Sequence, residues 1–137
     1  MPDQSVLTVT TAYFDALANG DIKGAMSHFD QNVEWHQPGE NQFSGVHQGP
    51  EAVGALVGGM YEVSGGTFSL QVTGAPMLNG WCVVYPVRFT GEREGRVLDM
   101  NGIDLITVDN GKIVAVHLFS EDSAAEDRFW GSGQRAC

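Results

Sequence analysis

The sequence predicts an α+β fold: a strongly curved antiparallel sheet with about three N-terminal-half helices covering its concave face, a cone in outline. Three observations predict it. Helical periodicity is confined to the first half of the chain, around residues 4–18, just after Asp21, and between Gly49 and Ser64. Alternating apolar and polar residues fill the second half, from Phe68 to Phe119. Two Asn-Gly turns, Asn79-Gly80 and Asn110-Gly111, join β-rich runs, because both central residues of such a turn accept φ > 0. A chain of 137 residues suits one domain, residues 1–137. The mouth of the cone would be a small-molecule pocket.

The elements follow in order. Val6, Val9, Tyr13 and Leu17 recur at steps of three and four, with Leu7 and Phe14 alongside, and Asn19-Gly20 stops this first helix. Asp21 caps a second, short helix whose apolar face is Ile22, Ala25, Met26 and Phe29. Val33 to Gln37 reads as a strand ended by Pro38-Gly39, and Glu40 to Gln48 as a polar loop. Gly49-Pro50-Glu51 opens a third helix with core residues Val53, Leu56, Val57 and Met60. Phe68, Leu70 and Val72 alternate with polar residues. In the strand Trp81 to Thr90, the side chains of Trp81, Val83, Tyr85, Val87 and Phe89 share a face. Pro86 removes a ladder donor there and implies a bulge or an edge. Gly91 to Gly95 forms a polar hairpin loop. The last strands are Leu98 to Val108 and Ile113 to Phe119. Ser123-x-x-Glu126 matches a capping box, and Phe129-Trp130 then anchors the tail on the body or on a partner subunit, or else forms a lid over the cavity.

Composition narrows the function. Net charge is −10, and seven Lys plus Arg are too few for a phosphate-tracking surface. Nucleic acid and anionic membranes are therefore excluded as expected partners. No apolar run approaches the ~20 residues needed to span a bilayer. Met1-Pro-Asp-Gln-Ser carries no secretory h-region, so a cytoplasmic location is expected. Cys82 reads as a small buried hydrophobe, and a bond to the terminal Cys137 is not expected. His36, Glu40 and His47 match no defined metal spacing, and no metal is expected.

One carboxylate stands out. Leu98, Met100, Asp104, Ile106 and Val108 share one strand face, and Asp104 is the lone charge among them. A two-residue turn at Asn110-Gly111 places Asp104 opposite His117. A buried Asp facing a His is a candidate acid/base pair; without a cation nearby, its pKa rises and it becomes a proton donor. The pairing depends on register, since a slip of one residue sends His117 to the other face. Trp35 and Gln37 share a strand face and His36 takes the other. Two readings stand: Gln37 faces the pocket and orients a substrate oxygen, or His36 does and acts as a base.

The chain resembles the SnoaL-like and ketosteroid-isomerase-related members of the nuclear transport factor 2-like superfamily. The resemblance rests on Tyr13-Phe-Asp-Ala-Leu-Ala-Asn-Gly-Asp21, Val33-Glu-Trp-His-Gln-Pro-Gly39, Gly49-Pro-Glu-Ala-Val and Asp109-Asn-Gly-Lys-Ile113, in this order and spacing. It implies a cone with a deep apolar cavity, a homodimer through the sheet, and chemistry without a cofactor: isomerisation, ring closure or epoxide hydrolysis. In ketosteroid isomerases a Tyr on the first helix and a protonated Asp on a late strand form the oxyanion hole. Their positions match Tyr13 and Asp104. The isomerase base falls at Gln37, which cannot abstract a proton, so steroid isomerisation itself is not expected. The SnoaL-like cyclases use an Asp–His constellation, which Asp104 and His117 would supply.

The catalytic candidates are therefore Asp104, His117 and Tyr13. The ligand-binding candidates are Trp35, His36, Gln37, Met60, Trp81, Phe89 and Met100. The expected function is acid/base chemistry on an apolar carbonyl- or hydroxyl-bearing ligand by isomerisation, cyclisation or hydration. The alternative is a binding protein that uses the same cavity without turnover.

Overall fold

The computed structural model describes residues 2–131, with side chains from residue 5 onward; Met1 and Cys137 lie outside this range. The described residues form α1 (Pro2–Ala18), α2 (Ile22–Met26), β1 (Phe29–Gln37), β2 (Gly45–Gln48), α3 (Pro50–Val63), β3 (Ser69–Val72), β4 (Met77–Asn79), β5 (Cys82–Arg93), β6 (Arg96–Asp109), β7 (Lys112–Ser120) and α4 (Ser123–Trp130). The sheet runs β2-β1-β7-β6-β5-β3, with β4 also on β5, and it is curved and unclosed. It is mixed rather than purely antiparallel, because β1 lies parallel to β7. The α+β architecture is the expected one.

Burial alternates along β5 and β6, and the inner residues are those that the strand period selects. Val83, Tyr85, Val87 and Phe89 meet Leu98, Met100, Ile106 and Val108 beneath the helices, all buried. α3 buries Val53, Leu56, Val57 and Met60 on the same core. α1 is tied to the sheet through Thr10, whose hydroxyl donates to the Val6 carbonyl at 2.9 Å and so accepts from the Tyr85 hydroxyl at 2.7 Å. Pro86 sits where β3 has ended and β4 has not begun. β3 pairs with Val87–Thr90 and β4 with Cys82–Val84, so the missing N–H faces a gap in the sheet.

Several elements depart from the sequence reading. Phe29 opens β1 instead of extending α2. The polar loop contains β2, an edge strand on β1 whose residues are mostly exposed. The β5–β6 loop shrinks to Glu94-Gly95, both at positive φ, because the ladder continues to Arg93↔Arg96. The capping box is displaced by one residue: the Asp122 carboxylate accepts from Ala125 N and caps α4, leaving Glu126 one position beyond the box.

The largest departure lies in β7. Val108 pairs with Ile113, but Thr107 pairs with Ala115, so Val114 has no partner on β6. This bulge advances the rest of β7 by one residue. Asp104 consequently faces Leu118, and His117 faces Leu105. Val116 and Leu118 turn inward while His117 and Phe119 turn outward.

Gly102 marks a crowded point within the sheet, between β5 and β7. A Cβ there would meet the Phe119 carbonyl oxygen at 2.6 Å and the Phe89 ring at 2.7 Å. Gly102→Ala is expected to destabilise the protein by roughly 1–3 kcal/mol through overpacking against backbone, read as a lower urea midpoint with an unchanged m-value.

Candidate functional site

Between the sheet and the helices lies a cavity of about 400 Å³, within the range of small-molecule sites. Tyr13 comes to it from α1, Trp35 and Gln37 from β1, Met60 and Tyr61 from α3, Phe89 from β5, Asp104 from β6, Leu118 from β7 and Glu126 from α4. The walls are mainly apolar. Among the described residues that line it, none is Lys, Arg or His.

Asp104 is 4 % exposed, and burial alone raises its pKa from 3.8 to about 7. No cation and no hydrogen-bond donor among the described residues offsets that burial. Near neutral pH the carboxyl is therefore poised between a proton donor and a desolvated base. Tyr13 is buried against the rings of Phe14 and Phe29 at 5.0 and 5.4 Å. Burial first, then the Asp104 charge and Tyr61, hold its hydroxyl well above the usual tyrosine range. Its proton thus stays available for donation. Gln37 is oriented by its neighbour: the Trp35 indole N–H donates to Gln37 Oε1 at 2.9 Å. With its oxygen so engaged, the amide keeps its N–H donors for the cavity.

The structure brings Tyr13, Trp35, Gln37, Met60, Phe89 and Asp104 to one cavity and leaves four candidates outside it. His117 and His36 lie on the other side of the sheet, their rings stacked at 4.0 Å and 10°. The expected Asp104–His117 pair does not form, because the Val114 bulge reverses the side on which His117 stands. Burial first, then the His36 charge, lower the His117 pKa, against the opposing pull of Glu34. Of the two readings of β1, Gln37 faces the cavity, and His36 instead contacts Glu34 at 3.2 Å. Trp81 belongs to the turn before β5 and is 48 % exposed, so it lines nothing. Met100 is buried and does not line the cavity; its sulfur lies 3.2 Å from Ser120 Oγ.

Glu126 is the residue that the sequence reading missed. It is 5 % exposed and lines the cavity. Trp130 Nε1 donates to its Oε2 at 3.3 Å. Burial raises its pKa, against lowering by Ser120 and Trp130. α4 is fixed by polar ties: Arg93 Nη1 donates to the Phe129 and Trp130 carbonyls at 2.8 Å each, and Asp127 Oδ1 accepts from Glu40 N and Asn41 Nδ2 at 2.9 and 2.8 Å. The only sequence signal was an acidic residue three positions before the Phe129-Trp130 anchor.

Asp104 also sets a pH dependence of stability. Its folded pKa lies above the unfolded value, so the carboxyl costs nothing below pH 4 and progressively destabilises the fold as pH rises towards and through about 7. Asp104→Asn is expected to raise the melting temperature at pH 8–9, by relief of up to ~4 kcal/mol, and to leave it nearly unchanged at pH 4. Thermal melts across this range check both arms.

Comparison with known proteins agrees with this architecture. A family profile described as a SnoaL-like domain matches residues 10–116. The uncharacterised protein Rv0034 of Mycobacterium tuberculosis is 30 % identical over 130 residues, covering 95 % of this chain and 99 % of that one. A protein of unknown function with a cystatin-like fold from Xanthomonas campestris is 40 % identical, with a TM-score of 0.87 over 92 % of this chain and 98 % of its own. Bal32a, from a soil-derived mobile gene cassette, is 28 % identical, with a TM-score of 0.89 over 96 % of this chain and all (100 %) of its own. The chain belongs to the SnoaL-like domain family.

Proposed function

We propose that this protein is a small-molecule enzyme that performs cofactor-free acid/base chemistry, by isomerisation, cyclisation or hydration, on an apolar carbonyl- or hydroxyl-bearing ligand. The observation that carries the reading is the Asp104 carboxyl, buried without a partner among the described residues and opening into an apolar cavity beside Tyr13. Protonated Asp104 and the Tyr13 hydroxyl would donate to the ligand oxygen. The Gln37 amide would orient it. Donors fixed before the reaction cost no reorganisation when charge develops on that oxygen. Lacking Lys, Arg and His, the described lining selects against anionic ligands. Epoxide hydrolysis fits less well, because these walls hold no Asp–Arg–Asp set.

A second reading, a binding protein without turnover, is favoured by Gln37 standing where a strand-end carboxylate would serve as base. Asp104→Asn separates the two. An enzyme loses turnover and keeps its affinity within a few-fold; a binding protein changes affinity and has no rate to lose. In the wild type, affinity for a neutral ketone such as 1-indanone is expected to fall as pH rises through about 7, where Asp104 gives up the donated proton. Titration calorimetry between pH 5.5 and 8.5 measures this. Affinity that does not vary with pH removes Asp104 from the ligand's reach.

We also propose a cytoplasmic homodimer that buries the outer face of the sheet. Ile103 and Phe119 form an outward cross-strand pair at 38 % and 54 % exposure, beside the stacked His36 and His117. Exposed apolar side chains paired on one sheet face support this reading. Among the described residues no helix is long and apolar enough to cross a membrane. Ile103→Glu is expected to convert a dimer into a monomer in light scattering, with the fold retained by circular dichroism.

A further inference from the structure

The acid/base reading above has an acid, Asp104, but no proton acceptor. Gln37 stands at the strand end where a carboxylate would serve and has no basic site. His36 and His117 are on the far side of the sheet. Tyr13 is held well above the usual tyrosine range, so it stays protonated. Of the described residues that line the cavity, Glu126 is the one remaining ionisable side chain able to accept a proton near neutral pH.

Its placement fits that task. Asp104 pairs with Leu118 across β6 and β7, and Gly102 pairs with Ser120 two residues further along. Ser120 lies against Glu126. The two carboxyls therefore enter one cavity at different points of its wall, Asp104 across from Leu118 and Glu126 beside Ser120. A ligand's carbonyl oxygen and neighbouring C–H can then face different groups. Glu126 is also held in place. The Trp130 indole donates to Oε2, Trp130 is itself fully buried, and Ser120 also hydrogen-bonds the carboxylate. Two acidic residues alone would not define a site. The independent observation is the Asp104 carboxyl, buried and without a partner among the described residues, aimed into the same cavity.

We infer that Glu126 is the general base of this cavity, removing a proton from the carbon α to the carbonyl of an apolar ketone that Asp104 and Tyr13 hold by its oxygen. The inference rests on the reading of the cavity in the preceding section. The α-C–H bond breaks and its proton goes to Glu126. The electron pair forms the C=C bond of an enol as the carbonyl π pair moves to oxygen, which takes the Asp104 proton. In return, Glu126 delivers a proton to the α-carbon or to a conjugated γ-carbon, and the oxygen gives its proton back to Asp104; in deuterated buffer the proton on Glu126 is first replaced by solvent deuterium, which is what reaches the carbon. The step is a proton exchange or an isomerisation, with no other reactant consumed.

The test uses 1-indanone in deuterated buffer, with loss of the α-C–H signal followed by proton NMR and binding followed by calorimetry. Wild-type protein is expected to accelerate exchange over buffer. Glu126→Gln keeps the acceptor for Trp130, and it is expected to bind 1-indanone within about three-fold of wild type. Its exchange is expected to be 10²- to 10⁴-fold slower, the range for a lost general base. Glu126→Asp is expected to recover part of the rate. The wild-type rate is expected to rise with ionisation of Glu126 and to fall above about pH 7 as Asp104 loses its proton; this profile carries the test if the glutamine variant fails to fold. Wild-type exchange in a folded Glu126→Gln variant overturns the inference, as does 1-indanone that binds without exchange. Failure of 1-indanone to bind at all overturns the cavity reading with it.

Discussion

A carboxyl group without a counter-ion, set in an apolar wall, governs what this molecule can do. Desolvation disfavours the charged form of Asp104, and no described neighbour restores the balance. The group is therefore held near the midpoint of its titration at neutral pH. The cost appears as reduced stability in the ionised state. It is sustained because the apolar alternation on both sides, Met100 and Ile106 on the same strand, leaves the side chain no other direction to take. Tyr13 is perturbed mainly by its own burial and secondarily by the charge of this carboxyl when ionised, so its hydroxyl stays protonated.

The opposite wall is built differently. α4 has only eight residues, a length at which a helix has little stability of its own. It is held by tertiary ties: the Asp122 cap, Arg93 on its terminal carbonyls, Asp127 gripping the loop at residues 40 and 41, and Phe43 edge-on to Trp130 at 5.1 Å. Those ties join the loop after β1, the end of β5 and the last helix. They make Glu126 a group on a rigid support rather than part of a loose tail.

Much of this was legible in the sequence. The strand period alone placed Asp104 among buried neighbours, and the third helix buried the four residues its periodicity named, because a single apolar stripe admits one orientation. What failed did so for physical reasons. Nothing in Ile113-Val114-Ala115 marks a bulge, since each of these residues suits a regular strand position, yet that one residue decides where His117 points. Glu126 was hidden because Ser123 and Asp122 both make good caps, and the choice between them depends on the chain's path out of β7. β2 is short, polar and at an edge, so it has no alternation to read. Trp81 carries strand propensity but falls on the turn, where the preceding Asn79-Gly80 geometry outweighs it.

The unpaired Val114 also uncouples two jobs within one strand. A regular ladder would send His117 inward with Asp104 and would turn Leu118 and Ser120 out of the cavity. With the extra residue, the last third of β7 gives its small and aliphatic side chains to the chamber, and its imidazole and phenyl rings to the exterior. Insertion or loss of one amino acid at this point would exchange those two sets wholesale, with every point substitution elsewhere left untouched. Length variation at position 114 is therefore a single-step route by which proteins of this architecture can trade the chemistry of their interior for that of their surface.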